Sequence, residues 1–321
     1  MHTLSIDHGA GNMKLFGDCA VLVPSRVAVV SGETLSRVAG LHTTRPPLRI
    51  RLNGHQFYVG DTAHDWGRPV ENLDNSRFVT GSPDTIALTY AALTAYMQAH
   101  GANEMDNVAA IVGLPQSALT EDAAKQTAHG LRSWLRTEHT WHADGLRYSA
   151  NITDVKTTSQ TVGALFDYLL DDAGEYIAAR KAEFKREIAV VSIGMNTLEL
   201  QVTEAGTIKQ RFTDSETLGV RRLLELCDPQ GFYSRGEMDA ALRARTLDYK
   251  NGLPVWASEI SGRLEQRWGK ALRRFARVII VGGGALLLQQ ALTTQFEGRE
   301  WIPDNPLMAV ARGLHKFSLR R

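Results

Sequence analysis

Cysteine is nearly absent. The 321 residues hold two, Cys19 and Cys227, too few for a disulfide framework and without ligand spacing. A reducing, cytoplasmic setting fits. An excess of one charge is also missing. Lys and Arg number 36 against 35 Asp and Glu, a net +1, so no global drive toward nucleic acid or membrane is expected. No run approaches the roughly 18 apolar residues that span a bilayer. The N-terminus lacks the basic start and apolar core of a signal peptide. Low-complexity segments and long linkers are absent too. Familiar chemical motifs are equally scarce. There is no Walker A sequence. His139 and His142 stand close together without an acidic or thiol partner and read as surface sequence rather than a metal site. Ser117 lacks the glycines of a nucleophile elbow. What remains is ordinary for a soluble globular chain, 43% apolar and 22% charged, and long enough for two domains or compact lobes.

Periodicity predicts an α/β chain. Leu4–Ile6, Met13–Leu15 and Ala20–Val23 read as short strands. Leu48–Leu52 and Gln56–Val59 flank Asn53-Gly54, whose tolerance of positive φ marks a hairpin. Ser82-Pro83-Asp84 has the cap, first-turn proline and acidic residue of a helix start. Ile86, Tyr90, Leu93 and Met97 continue that helix as one stripe. Val108–Val112 is a strand signal ending in Gly113-Leu114-Pro115, and Ala123–Arg136 a second helix. Thr157–Ala179 is predicted as one long amphipathic helix, capped by Thr158 or Ser159. Residues 188–212 read as three strands, turning at Glu204-Ala205-Gly206. Mixed sequence fills 216–276, where the basic run Arg263–Arg277 reads as a solvated helix face. Val278–Val281 is a buried strand, and Asn305-Pro306 caps a last helix, Leu307–Leu314. Hairpins precede a helix in each half, from residues 4 and 188, as in a duplicated α/β lobe.

Two glycine turns carry the chemistry. Asp7-His8-Gly9-Ala10-Gly11-Asn12-Met13-Lys14 follows the first strand, and Ser192-Ile193-Gly194-Met195-Asn196-Thr197-Leu198-Glu199 follows Ile188–Val191. Such turns aim backbone N–H groups inward and cradle phosphate oxygens. A third glycine turn, Gly282-Gly283-Gly284-Ala285, opens a helix whose dipole suits an anion. It is not a dinucleotide fingerprint, because Leu287 stands where the third glycine belongs. Gln160 sits where the amphipathic helix begins.

This order of elements resembles the actin-like ATPase superfamily, and most of all the plasmid-segregation actin ParM and archaeal relatives. The first turn is similar to that family's Asp-x-Gly-x-x-x-x-Lys phosphate motif at Asp7, Gly9 and Lys14. Ser159–Ala164 resembles its inter-lobe helix start, Val281–Ala285 its adenosine motif and Asn305–Gly313 its second connecting motif. The resemblance covers nearly the whole chain.

It implies an actin-like (ribonuclease H-like) duplicated α/β fold, with two lobes around a nucleotide cleft. Lobe I would be 1–157 plus 304–321, with an inserted subdomain at about 25–80. Lobe II would be 158–303, with an insertion at about 205–265. ATP or GTP would bind with Mg2+, whose hydration shell Asp7 would hold through water. Gly9, Ala10, Gly11, Asn12, Lys14, Ser192, Gly194, Met195 and Asn196 would contact phosphates. Gly282, Gly283, Gly284 and Ala285 would contact adenosine and ribose. Gln160 would orient the attacking water, with Asp7 as the other catalytic group of an ATPase. The chain would assemble head to tail into filaments and segregate a plasmid or other DNA element through a DNA-bound adaptor, with no direct contact to nucleic acid and none to membrane. One departure stands out. The family's second phosphate motif begins with Asp, and this chain has Ser192, so binding is expected to survive better than hydrolysis. Alternatives are a non-polymerising nucleotide-regulated scaffold and a small-molecule kinase of the same superfamily.

Overall fold

The computed structural model describes residues 2–31, 45–71, 73–120 and 122–320. Residues 32–44, part of the expected inserted subdomain, therefore lie outside the described residues. Contacts divide the chain into two compact units. Unit 1 is 1–110 with 125–156, and unit 2 is 111–124 with 157–321.

Unit 1 is built on a ten-stranded sheet, in the order β3-β2-β1-β8-β10-β9-β5-β6-β4-β7. The strands are β1 His2–His8, β2 Asn12–Phe16, β3 Ala20–Pro24, β4 Val27–Val29, β5 Leu48–Leu52, β6 His55–Val59, β7 Arg68–Pro69, β8 Glu104–Leu114, β9 Glu138–Ala143 and β10 Leu146–Ser159. Its helices are α1 Ala63–Trp66, α2 Asn75–Thr80, α3 Pro83–Ala99 and α4 Ala124–Leu135. The β5–β6 hairpin turns where expected, at Asn53 (φ 47°) and Gly54 (φ 81°). Helix α3 starts at Pro83 and is buried nearly all round. Its polar residues are bonded inward: Thr94 accepts from Trp141 Nε1 at 2.9 Å, and Tyr90 pairs with His139 Nδ1 at 3.0 Å. His139 is thus a buried core residue, not surface sequence.

Unit 2 centres on a six-stranded sheet, in the order β13-β12-β11-β15-β16 with β14 beside β12. Here β11 is Glu187–Ile193, β12 Leu198–Glu204, β13 Thr207–Ile208, β14 Asp214–Glu216, β15 Arg277–Val281 and β16 Glu300–Trp301. Helices α5 Gln160–Leu169, α6 Ala178–Phe184, α7 Val220–Cys227, α8 Arg235–Arg243, α9 Gly252–Trp268, α10 Gly283–Phe296 and α11 Ala309–Ser318 complete it. The run Ile188–Val191 of β11 is apolar because both faces are covered. Ala189, Val191 and Ile193 join a core with Trp256, Ile260 and Leu288, while Ile188 and Val190 join one with Leu165, Leu169 and Leu314.

The long helix read over 157–179 is shorter. Ser159 ends β10 and caps α5, its Oγ accepting from Val162 N–H at 3.2 Å. The helix stops at Leu169 because Leu170 is extended and bridges Tyr176, with the Asp171 carboxylate accepting from Ala173 and Glu175 N–H between them. Helices α5 and α11 cross where Gly163 and Gly313 meet. A Cβ on Gly313 would lie 1.9 Å from the Gly163 carbonyl oxygen. Buried Asp167 of α5 locks the crossing through a two-pronged bond from Arg312, both arms 2.6 Å.

Candidate functional site

The first turn is a four-residue reversal. Gly9 N–H donates to the Asn12 carbonyl at 3.1 Å, with Asp7 opposite Lys14 and His8 opposite Met13 across the strands. Ser25 braces it from behind: its Oγ donates to the Gly9 carbonyl at 2.7 Å and its N–H to the Gly11 carbonyl at 3.0 Å. Peptide planes are trans, with C=O and the next N–H opposed. The N–H groups of Ala10 and Asn12 therefore point away from Ser25, on the side where an anion would be received. Gly9 is needed for space, since a Cβ there would lie 2.9 Å from the Asn12 carbonyl oxygen and 3.2 Å from Lys14 Nζ. Lys14 Nζ pairs with Asp7 Oδ2 at 2.7 Å, and the Asp7 side chain is only 2% exposed.

His8 adds a brace that the sequence reading passed over. Its ring stacks on Phe78 with centroids 4.2 Å apart, and its Nδ1–H donates to Asn75 Oδ1 at 3.3 Å. Burial lowers its pKa to about 4, so the imidazole is neutral near pH 7.

The second turn repeats this geometry in the same register. Gly194 N–H donates to the Thr197 carbonyl at 2.9 Å, Ser192 faces Glu199, and Ile193 faces Leu198. Here the brace is the start of α7. The N–H groups of Val220, Arg221 and Gly219 donate to the carbonyls of Gly194, Met195 and Asn196, at 2.9, 2.8 and 3.2 Å. By the same peptide geometry the N–H groups of Met195, Asn196 and Thr197 point away from α7. Gly219 permits this approach, because a Cβ would lie 2.5 Å from the Met195 carbonyl oxygen.

Unit 2 also brings the third glycine turn to the second. Strands β11 and β15 run parallel with Ser192 beside Val281, and Gly282 follows at φ 92°. A Cβ on Gly282 would lie 2.3 Å from the Ile193 carbonyl oxygen, and one on Gly284 2.2 Å from Ile193 Cγ2. Gly283 and Gly284 open α10, followed by Ala285 in its buried first turn. Gln160 is the first residue of α5. Next to it, Thr161 Oγ1 donates to Gln201 Oε1 at 2.7 Å, and Gln116 Nε2 reaches the same oxygen at 3.3 Å. Gln116 N–H donates to Glu199 Oε1 at 2.9 Å. A polar chain thus runs from beside Gln160 to the cross-strand neighbour of Ser192. The signal for Gln116 was its position directly after Gly113-Leu114-Pro115 at a strand end.

Among the described residues no three His, Cys, Asp or Glu side chains converge on a metal position. One carboxylate beside backbone N–H groups still fits Mg2+, which keeps several waters and binds through one or two carboxylates plus phosphate oxygens. No described helix is long and apolar enough to cross a membrane.

Residues 5–163 match the family model described as the actin like proteins N terminal domain. No curated protein matches the sequence. Solved structures match along nearly the full length. Apo ParM of psk41 is 17% identical with a TM-score of 0.74, over 98% of this chain and 96% of that one. An archaeal actin homolog in complex with ADP is 19% identical with a TM-score of 0.73, over 99% of each. ParM in a 15-stranded filament from Clostridium botulinum is 18% identical with a TM-score of 0.75, over 98% of each. The chain has the actin-like fold, and its residues 5–163 match the N-terminal domain of actin-like proteins.

Proposed function

We propose that this chain binds a nucleoside triphosphate with Mg2+ through its two glycine turns and assembles head to tail into filaments under nucleotide control. The observation that carries the reading is the turn itself, built twice in one register. Each has its carbonyls fastened from behind and its N–H groups aimed the other way. Backbone N–H groups at Ala10 and Asn12, and at Met195 and Asn196, bind phosphate oxygens. Lys14 turns from Asp7 to the phosphates, and Asp7 holds metal-bound water. Bound Mg2+ screens the phosphate charge. Gly282–Ala285 admit the ribose and α-phosphate to the start of α10.

Gln160 orients a water for attack on the terminal phosphorus, displacing the nucleoside diphosphate. Turnover is slow, because Ser192 carries a hydroxyl where a carboxylate would bind the metal's water shell more firmly. Heterologous head-to-tail contacts do not close, so assembly gives filaments. Likeness to ParM and to an archaeal homolog that binds ADP supports the nucleotide and the assembly. It also suggests segregation of a plasmid or other DNA element as the role. Light scattering with and without Mg-ATP or Mg-GTP, followed by negative-stain microscopy, tests this. Nucleotide-dependent filaments are expected. A chain that binds nucleotide yet stays monomeric at all salts and concentrations would leave the scaffold alternative instead.

A further inference from the structure

The net charge of +1 conceals a local excess at one end of the unit 2 sheet. Three segments converge there, at the opposite end of β11 from the Gly194 turn. They are the α6–β11 junction, the β12–β13 turn with the stretch after it, and the stretch between α9 and β15. Ala205 N–H donates to the Phe184 carbonyl at 2.9 Å, and Ala276 N–H to the Glu187 carbonyl at 2.8 Å, tying all three together.

The carboxylates here are Glu183, held by Arg277 at 2.9 Å, and the cross-strand neighbours Glu187 and Glu204, and each already has a cation. Arg274 clasps Glu187 with both arms, and Lys209 pairs with Glu204 at 2.5 Å. Five further cations, Lys185, Arg186, Arg211, Lys270 and Arg273, are exposed and form no ion pair among the described residues. The Arg211 and Arg274 guanidiniums lie 4.6 and 5.4 Å from the Phe212 ring centroid, which fixes their place.

Exposed cations without carboxylate partners on three converging segments suit a polyanion. An acidic protein partner would want a cluster of aromatic or aliphatic anchors. The single large apolar residue exposed among these segments is Ile208, at 41%. Ordered guanidiniums and ammoniums without such a cluster match phosphate contacts, which position a duplex without reading its bases. We propose that this end of unit 2 binds the phosphate backbone of duplex DNA directly and without sequence preference. Such binding would stand beside the expected DNA-bound adaptor and departs from the expectation of no direct contact with nucleic acid. The inference does not depend on nucleotide binding or filaments.

Fluorescence anisotropy of a labelled duplex of about 30 base pairs, titrated with the full chain without nucleotide, tests it. Micromolar binding is expected at about 50 mM salt. With about five phosphates neutralised, the log–log salt slope should be near −4 to −5. Changing Lys185→Glu, Arg186→Glu and Arg273→Glu together should weaken binding at least ~10-fold. The milder Gln set, which adds no new charge, should weaken it in the same direction. An equal charge change in unit 1, Arg51→Glu, Arg147→Glu and Lys156→Glu, should cost much less. The proposal is overturned by absence of binding at low salt, by equal losses in both Glu sets, or by binding to anionic phospholipid vesicles but not to the duplex.

Discussion

The two glycine turns share a backbone and differ in what holds it. The first rests on charge and polar contacts: a buried Asp7–Lys14 pair, a single serine behind, and a neutral histidine stacked at its flank. The second rests on close packing. Three helix N–H groups hold its carbonyls, and Gly219, Gly282 and Gly284 let α7 and β15–α10 press against it. At the position of Asp7 it has Ser192, and at that of Lys14 it has Glu199, reached by Gln116. One backbone can therefore be kept by two kinds of support, which should fail under different insults.

The largest effect should come from crowding the second turn. Gly282→Ala places a Cβ 2.3 Å from a carbonyl oxygen at φ 92°. We expect a loss of about 3 kcal/mol or more in urea unfolding, against about 1 kcal/mol for Gly9→Ala. Equal losses would erase the distinction. Next is Lys14→Met, which takes the ammonium away from the buried Asp7 carboxylate and should cost about 3 kcal/mol. Asp7→Asn added to it should recover much of that. Ser192→Ala, by contrast, should cost no more than about 1 kcal/mol.

Acid should also strike the first turn harder. Burial lowers the pKa of folded His8 to about 4, against an ordinary 6.5. The unfolded chain thus binds the proton more readily between those values, and stability present above pH 6.5 is lost as pH falls. The loss should be about 2 kcal/mol between about pH 7 and pH 5. His8→Phe should flatten this part of the urea-derived profile, and Ile193, its counterpart in the second turn, contributes nothing to it. A similarly small effect on stability is expected from Ser192→Asp. It sets a carboxylate across from Glu199 and should cost about 1 kcal/mol, yet raise steady-state phosphate release. No gain in rate would contradict the account of slow turnover.

Much of this was legible in the sequence because it is local. The strand–glycine–strand pattern announced both turns, Asn53-Gly54 its hairpin, and Ser159 the start of α5. The end of α5 was not, since Leu169 and Leu170 keep helical spacing while the Asp171 side chain closes a turn. Nor was the brace of the second turn, where Gly219 lies far along the chain from Gly194 and acts only through a close approach. The basic end of unit 2 was hidden for the same reason. Its cations come from three separated segments, and the run Arg263–Arg277 by itself reads as a solvated face, with Arg263 paired to Asp214 at 2.7 Å.

The central claim is the proposal that this chain binds a nucleotide through its glycine turns. Isothermal titration of Mg-ATP and of Mg-GTP into the chain tests it most directly. The account predicts saturable binding of at least one of them, weakened at least ~10-fold, about 1.4 kcal/mol, by Lys14→Met. No heat from either nucleotide, together with no rise in melting temperature at about 1 mM ligand, would contradict it.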